Sequence, residues 1–332
     1  MRSDIATAPS RPVCGQHPRL TNMGQTCTNG VSDVGAYLLI VPPRVERKWG
    51  WKRDLPDHRD RVLRYSPAMK ASMPAKVDLR PQEHFPLYDQ GHLGSCTAQA
   101  LCAAFHFAQI KEGLPGFLPS RLFVYYNTRA IEGHVEQDTG GYLRDGVKTL
   151  CKQGVCNEIL WPYIEDHFAT QPNSEAYAMA AKNRALEYAR VPQTMEDMKA
   201  CLATGFPFAF GFMVFSSFMT QSVASTGKAS MPDPCCGCDR LLGGHAVLCC
   251  GYDDERQVFI VRNSWGDKWG DKGYFYLPYE YMANEQLATD MWAVKFVERG
   301  AFPIDDTEKA LRGRRGVGCC CSTTRRAALT QA

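Results

Sequence analysis

From Ser95 onward the apolar positions Ala98, Leu101, Phe105 and Ala108 recur every three to four residues, the spacing of one helix face, and Gly113 can end the run. A second helix is predicted in LPSRLFVYYNTRAIEG, residues 118–133, with Ser120 as its N-cap. The stretch DTGGYLRDGVKTLCKQG reads as a third helix, closed by Gly154, and a fourth, polar and Ala-rich, is predicted over Ser174–Tyr188. After Tyr188 the period changes. FPFAFGFMVF, HAVLCCGYDD, QVFIVRNSW, GYFYLPYEY and DMWAVKFV are short aromatic or β-branched runs bounded by Gly, Asp and Asn, which reads as strands. One helix, about Met195–Thr204, interrupts them. A helical half, about residues 90–187, is thus followed by an antiparallel β half, about 188–298, which makes the fold class α+β. A cleft between two such lobes is a common seat for an active site.

The N-terminal region follows neither period. Residues 1–45 are rich in Pro, Gly, Thr and Ser and read as an extension. Residues 46–75 carry ERKWGWKRDLPDHRDRVLRY, aromatic and densely charged, a segment expected to dock on something rather than build a core. Met73-Pro74 marks a boundary, giving an N-terminal extension over 1–72, a main domain over 73–298 and a tail over 299–332. The 332-residue length suffices for one large domain or two lobes. A net charge of +3 gives no general attraction to nucleic acid or membrane. The longest apolar runs, Val34–Val41 and Gly205–Phe215, are too short to span a bilayer, and no secretory leader is visible.

The chemistry begins in YDQGHLGSCTAQALCAAF, residues 88–105, which places a thiol at the first turn of the first predicted helix. A thiol is a good nucleophile only as thiolate, and a helix N-terminus favours that anion through its free N–H groups. Cys96 has this setting. His245, in GGHAV at the start of a strand, can act as its base, and Gly244 before it lets a substrate backbone come close. Asn263, in VRNSWG, can orient the imidazole, and Trp265 can cover the His–Asn bond. The side-chain amide of Gln90 and the backbone N–H of Cys96 are two donors for a developing oxyanion.

VDLRPQ…YDQGHLGSCTA, DTGGYLRDGVKTLCKQG, WPY, GGHAVLCCGYDD and VRNSWGDKWGDKGYFYL together resemble the papain-like cysteine peptidases, over roughly residues 73–298. The nucleophile block looks most like the microbial branch with GSCTA. The Cys-to-His separation is also that of the family, roughly 150 residues. The resemblance implies a two-lobe fold, helical on one side and antiparallel β-barrel-like on the other. It implies Cys96 as nucleophile, His245 as base and acid, Asn263 as orienter and Gln90 as oxyanion donor. Gly140 and Gly141 would line the non-primed side of the cleft. The expected activity is hydrolysis of internal peptide bonds in a protein or peptide through an acyl-enzyme, with no cofactor and no metal. The same triad can instead pass the acyl group to an amine, and a papain fold that has lost activity can serve as a binding protein.

The departures carry expectations of their own. The cysteine of the usual CGSCW signature is Leu93 here, and its usual partner is Thr139, so that disulfide cannot form. Its loss and the missing leader favour a cytoplasmic, reducing compartment. The long helical prosegment of lysosomal relatives is also missing, and part of 1–72 is expected to lie in or near the cleft and keep the enzyme latent. The chain has 15 cysteines. Cys27 in MGQTCTNG imitates the nucleophile block but sits before a turn rather than a helix. Cys235 and Cys238 have CxxC spacing without a second ligand pair, and are read as a loop rather than a metal site. Cys319, Cys320 and Cys321, among Arg312, Arg314, Arg315, Arg325 and Arg326, are read as a solvated tail, with reversible lipid anchoring as the alternative. His92, His106 and His134 match no block and are expected on the surface or in loops. A monomer is expected.

Overall fold

The structure is a computed structural model that describes residues 47–233 and 239–297. Strand β1 (Trp51–Lys52), helix α1 (Pro67–Ala71) and strand β2 (Lys76–Asp78) lead into the long helix α2 (Cys96–Lys111). Helix α3 (Arg121–Glu132), strand β3 (Gly141–Tyr142), helix α4 (Leu143–Lys152) and helix α5 (Ser174–Ala180) follow. The second half comprises β4 (Ala185–Arg190), α6 (Met195–Ala203), β5 (Phe208–Phe215), α7 (Gln221–Thr226), β6 (Leu241–Asp253), β7 (Val258–Arg262), β8 (Tyr274–Pro278), α8 (Tyr279–Ala283) and β9 (Ala288–Val297). Seven strands form one antiparallel sheet in the order β4-β9-β5-β6-β7-β8, with β2 paired to the far half of β6. A helical part followed by an antiparallel part is the α+β arrangement that the hydrophobic pattern predicts.

Helix α2 is the axis of the molecule. Every residue from Cys96 to Gln109 is buried, so the single apolar face read from the sequence is only part of its contact surface. Five alanines, Ala98, Ala100, Ala103, Ala104 and Ala108, let α3 and α4 approach on one side and β6 and β9 on the other. The polar positions between them, Thr97, Gln99, His106 and Gln109, are buried too, which blurs the period. His106 is therefore not on the surface or in a loop: its ring stacks on Phe85 with centroids 4.3 Å apart. Helix α3 starts at Ser120 as expected, whose Oγ accepts from the Phe123 N–H at 3.2 Å, and Gly133 closes it in the left-handed region.

Two elements differ from the sequence pattern. The helix expected over Ser174–Tyr188 stops at Ala180, and Ala185–Arg190 becomes the edge strand β4. Ala, Leu and Glu favour a helix, but Asn183 hands its carbonyl to the Val155 N–H and its side chain bonds the Met179 carbonyl. That turn redirects the chain to pair with β9, and tertiary pairing overrides propensity. GYFYLPYEY is a strand only as far as Pro278, after which Tyr279–Ala283 is helical.

A buried ion pair ties the segment before Gln90 to the sheet. Arg262, at the end of β7, meets Glu83 at 2.8 Å, and both side chains are almost wholly buried. Tyr274 donates to the same carboxylate at 2.6 Å, and Arg262 also donates to the Pro86 carbonyl. The guanidinium lies over the rings of Phe85 and Tyr88. The segment leading to Gln90 is thus fixed on the sheet one residue from Asn263. All seven cysteines among the described residues are free, and Leu93 and Thr139, where the resemblance would place a disulfide, carry no thiol. No group of three metal-ligating side chains occurs among the described residues, and Cys27, Cys235, Cys236, Cys238 and Cys319–Cys321 lie outside them. No described helix is long and apolar enough to cross a membrane.

Candidate active site

Cys96 is the first residue of α2, and its thiol is fully buried. The backbone N–H groups of Ala246, Gly50, Thr97 and Cys96 itself favour the thiolate, yet burial outweighs them and pushes the thiol up to about 11. Ala246 belongs to β6 and adjoins His245, so helix and sheet meet at this sulfur.

His245 is also fully buried. Its Nε2 lies 2.8 Å from Asn263 Oδ1. The Ser264 backbone N–H donates to the same oxygen at 2.8 Å, which identifies the Asn263 atom as the acceptor. Nε2 therefore carries the proton, and Nδ1, which has no protein partner, keeps its lone pair. Trp265 stacks on the imidazole with centroids 4.9 Å apart, Trp49 meets it edge-on at 6.3 Å and Phe212 at 5.8 Å. Burial among these rings is the main cause that pushes His245 down to about 4; the Asn263 bond opposes it, and Arg47 adds to it. With thiol up and imidazole down, both groups are neutral near pH 7.

Gln90 is fully buried and held at every polar atom. Its backbone N–H donates to the Ser264 carbonyl at 2.9 Å, and its Oε1 accepts from Ser264 Oγ at 2.8 Å. Its carbonyl accepts from Tyr163 at 2.8 Å, and Tyr163 also bonds Ser95 Oγ at 2.6 Å. Nε2 is thereby turned toward the Leu93 carbonyl at 2.9 Å and the Lys48 carbonyl at 3.4 Å. Ser264 thus links Gln90 and Asn263, a role the sequence pattern does not reveal, since its only signal is adjacency to Asn263. Tyr163 was visible only as the last letter of the WPY block.

The cleft is occupied by the chain's own residues 47–54. The Gly50 N–H lies on the side of the Cys96 sulfur and favours the thiolate, and the Gly50 carbonyl accepts from the Gly141 N–H at 2.8 Å. Trp51–Lys52 then pairs in parallel with Gly141–Tyr142. Gly140 has a φ of 71°, and a Cβ there would lie 2.0 Å from the Gly50 carbonyl oxygen, so glycine is required for this approach. Trp51 covers Gly244. Ion pairs pin the strap: Arg47 to Asp89 at 2.6 Å, Lys48 to Asp138 at 2.8 Å and Lys52 to Glu132 at 2.8 Å. Farther along, Asp54 receives Arg190 at 2.9 Å and the Trp292 indole at 2.9 Å, while Asp60 receives Arg144 at 2.7 Å and Arg190 at 2.6 Å. Burial, followed by the neighbouring Asp290, raises Asp54 to about 6. Asp138, the first residue of the DTGG block, also accepts from the Gly94 N–H at 3.0 Å and so holds the turn before Cys96, whereas Asp290 carried no sequence signal.

Cys96, His245, Asn263, Gln90, Trp265, Gly140, Gly141 and Gly244, four chain regions in all, converge on this cleft. His92 does not: it pairs with Glu165 at the surface. A family profile described as papain family cysteine protease matches residues 73–294. An uncharacterized peptidase C1-like protein of Acanthamoeba polyphaga mimivirus is 40% identical over 277 residues, 76% of this chain and 88% of that one. Among solved structures, xylellain, a cysteine protease from Xylella fastidiosa, is similar with a TM-score of 0.71 and 44% identity, covering 75% of this chain and 96% of its own. A proCathepsin B from Trypanosoma congolense shares the fold at a TM-score of 0.61 and 16% identity, covering 76% of this chain and 87% of its own.

Proposed function

The chain belongs to the papain family of cysteine proteases and is a cysteine peptidase, and on that premise we propose that it is an endopeptidase acting through Cys96, His245 and Asn263, held latent by residues 47–65. In this reading the domain order is a strap within 1–72, a peptidase domain over 73–298 and a tail over 299–332. Once the strap leaves, water and substrate reach the thiol–imidazole pair. His245 Nδ1 takes the Cys96 proton, the thiolate attacks the carbonyl, and the amide oxygen gains negative charge between Gln90 Nε2 and the Cys96 N–H. The imidazolium returns the proton to the leaving amine. A water then gives its proton to His245 and splits the thioester, restoring the thiol. Asn263 keeps Nε2–H in place throughout, and Trp265 shields that bond.

The observation that carries the reading is the position of the strap. The Lys48 carbonyl sits where an oxyanion would develop, at Gln90, and Gly50 covers the sulfur. Polypeptide enters the cleft at Arg47 and leaves it past Lys52, which supports cleavage within a chain rather than at an end. The strap runs parallel to β3, so docking there gives no productive pose in itself.

The test is hydrolysis of a denatured protein substrate by the full-length chain and by its Trp49→Ala variant, with products mapped by mass spectrometry. Internal cuts, faster with Trp49→Ala and abolished by Cys96→Ala, are expected. Removal of single terminal residues only, or equal rates with and without Trp49, contradicts the endopeptidase or the latency part respectively.

A further inference from the structure

A cavity of about 440 Å³ opens beside the C-terminal half of α2 and the loop that follows it, a volume suited to a small ligand. Phe85, Ile110, Leu114, Phe117 and Leu118 give it apolar walls, and His106 completes the lining from α2. His106 is only 7% exposed. The stack on Phe85 holds its ring in place, and Phe85 is itself clamped from the Arg262 guanidinium at 4.3 Å. Nδ1 of His106 is sealed in without a hydrogen-bond partner. Nε2 is on the side of Gly116, another lining residue, where a Cβ would lie 3.3 Å from it. No hydrogen bond engages Nε2 among the described residues. The other imidazole of the lining, His84, is exposed.

Burial, with Arg262 adding to it, pushes His106 down to about 3, so near pH 7 the ring is neutral and carries one proton. A sealed N–H without an acceptor is rarer than a sealed acceptor without a donor. The proton therefore belongs on Nε2, which presents a donor to an apolar cavity. Such a donor favours a ligand that brings the acceptor, because the bond recovers the cost of removing the N–H from water. Water suits the place poorly, since it needs several polar partners and these walls are apolar. No lysine, arginine or carboxylate lines the cavity, so a charged group there has no opposite charge to pair with. We propose that this cavity binds a small neutral aromatic ligand through one carbonyl oxygen, which accepts from His106 Nε2 while the ring packs against Ile110, Leu114 and Leu118. His106 stands ten residues along α2 from Cys96, about 15 Å of helix, so the site is separate from the cleft and does not depend on the role of Cys96.

The test titrates the full-length chain, with its histidines labelled with ¹⁵N, with acetophenone and with α-methylstyrene. The two probes have the same shape, a C=O group in one standing where the other has C=CH₂. Ring ¹⁵N shifts of His106, assigned with His106→Phe, report the binding. The expected result is saturable binding of acetophenone at least about threefold tighter than that of α-methylstyrene, the worth of one net hydrogen bond. A merely apolar cavity gives the reverse order, because the hydrocarbon is the less soluble in water. His106→Phe keeps the stack on Phe85 and removes both nitrogens, and is expected to abolish the preference. Gly116→Ala, in the loop after α2, sets a methyl group beside Nε2 and is expected to weaken acetophenone at least about tenfold, which keeps the test intact if His106→Phe does not fold. Equal or tighter binding of α-methylstyrene, acetophenone binding unmoved by Gly116→Ala, or His106 shifts that respond to neither probe overturns the proposal.

Discussion

Three side chains decide the chemistry, and their environments set opposite demands. The Cys96 thiol sits at a helix N-terminus that favours the thiolate, yet its burial holds it protonated. His245 is neutral with its proton on Nε2, ready to accept a second at Nδ1. Gln90→Ala removes one oxyanion donor without touching the thiol, so kcat of an opened enzyme is expected to fall about 10²–10³-fold with KM nearly unchanged. A larger rise in KM than fall in kcat, measured on one fluorogenic peptide, would mean that Gln90 serves binding instead. His245→Ala is expected to cost about 10²–10⁴-fold by loss of general acid–base catalysis alone, and more if the thiolate is lost with it. These residues were legible in the sequence because each needs a fixed neighbour in the chain: a helix after Cys96, glycines before His245, a tryptophan after Asn263. Ser264 and Tyr163 were not, since a hydroxyl that orients another side chain leaves no periodic or compositional trace.

The strap is the element on which regulation turns. The sequence suggested docking from its mixture of tryptophan and charge, but not the register, which depends on glycines scattered over β3, β5 and β6. It likewise suggested helix where β4 forms, because an edge strand of Ala, Leu and Glu is fixed only by its partner β9. The strap's charges give its docking a pH dependence. Docked Asp54 has its pKa raised from 3.8 to about 6 by burial and by Asp290, so its contribution is fully present below about pH 4 and is lost as pH rises through 6. Asp60, held low by Arg144 and Arg190, has the opposite sign and contributes above its ordinary value. Arg190, Arg144, Asp290 and the Trp292 indole are the groups facing these two acids. Between pH 5 and 7, where Asp60 is charged throughout, the neighbouring acids Asp54 and Asp290, both raised by burial, govern the slope together. Hydrogen exchange at the amides of 51–54, corrected for intrinsic rate, is expected to show more opening at pH 7 than at pH 5, and Asp54→Asn is expected to flatten the difference. More opening at pH 5 would contradict this assignment.

At the scale of the molecule, α2 carries the nucleophile into the joint between helices and sheet, and the Arg262–Glu83 pair fixes the segment that brings Gln90 beside it. Breaking that pair leaves one charge buried alone. Arg262→Ala is expected to destabilise the fold by about 3–5 kcal/mol, read as a shift in a urea unfolding midpoint. A shift under about 1 kcal/mol would mean that the charge is solvated in solution. Without the family disulfide between the positions of Leu93 and Thr139, packing and this pair hold the region next to the nucleophile. One strap keeps a complete Cys–His site silent. The most direct measurement is the rate at which a general peptidyl epoxide modifies Cys96 at pH 7, located by mass spectrometry, in the full-length chain and in its Trp49→Ala,Trp51→Ala variant. Slow labelling of the full-length chain is expected, with at least tenfold faster labelling of the variant and loss of both when His245→Ala is added. Equal labelling of the two chains, or labelling indifferent to His245, would contradict it.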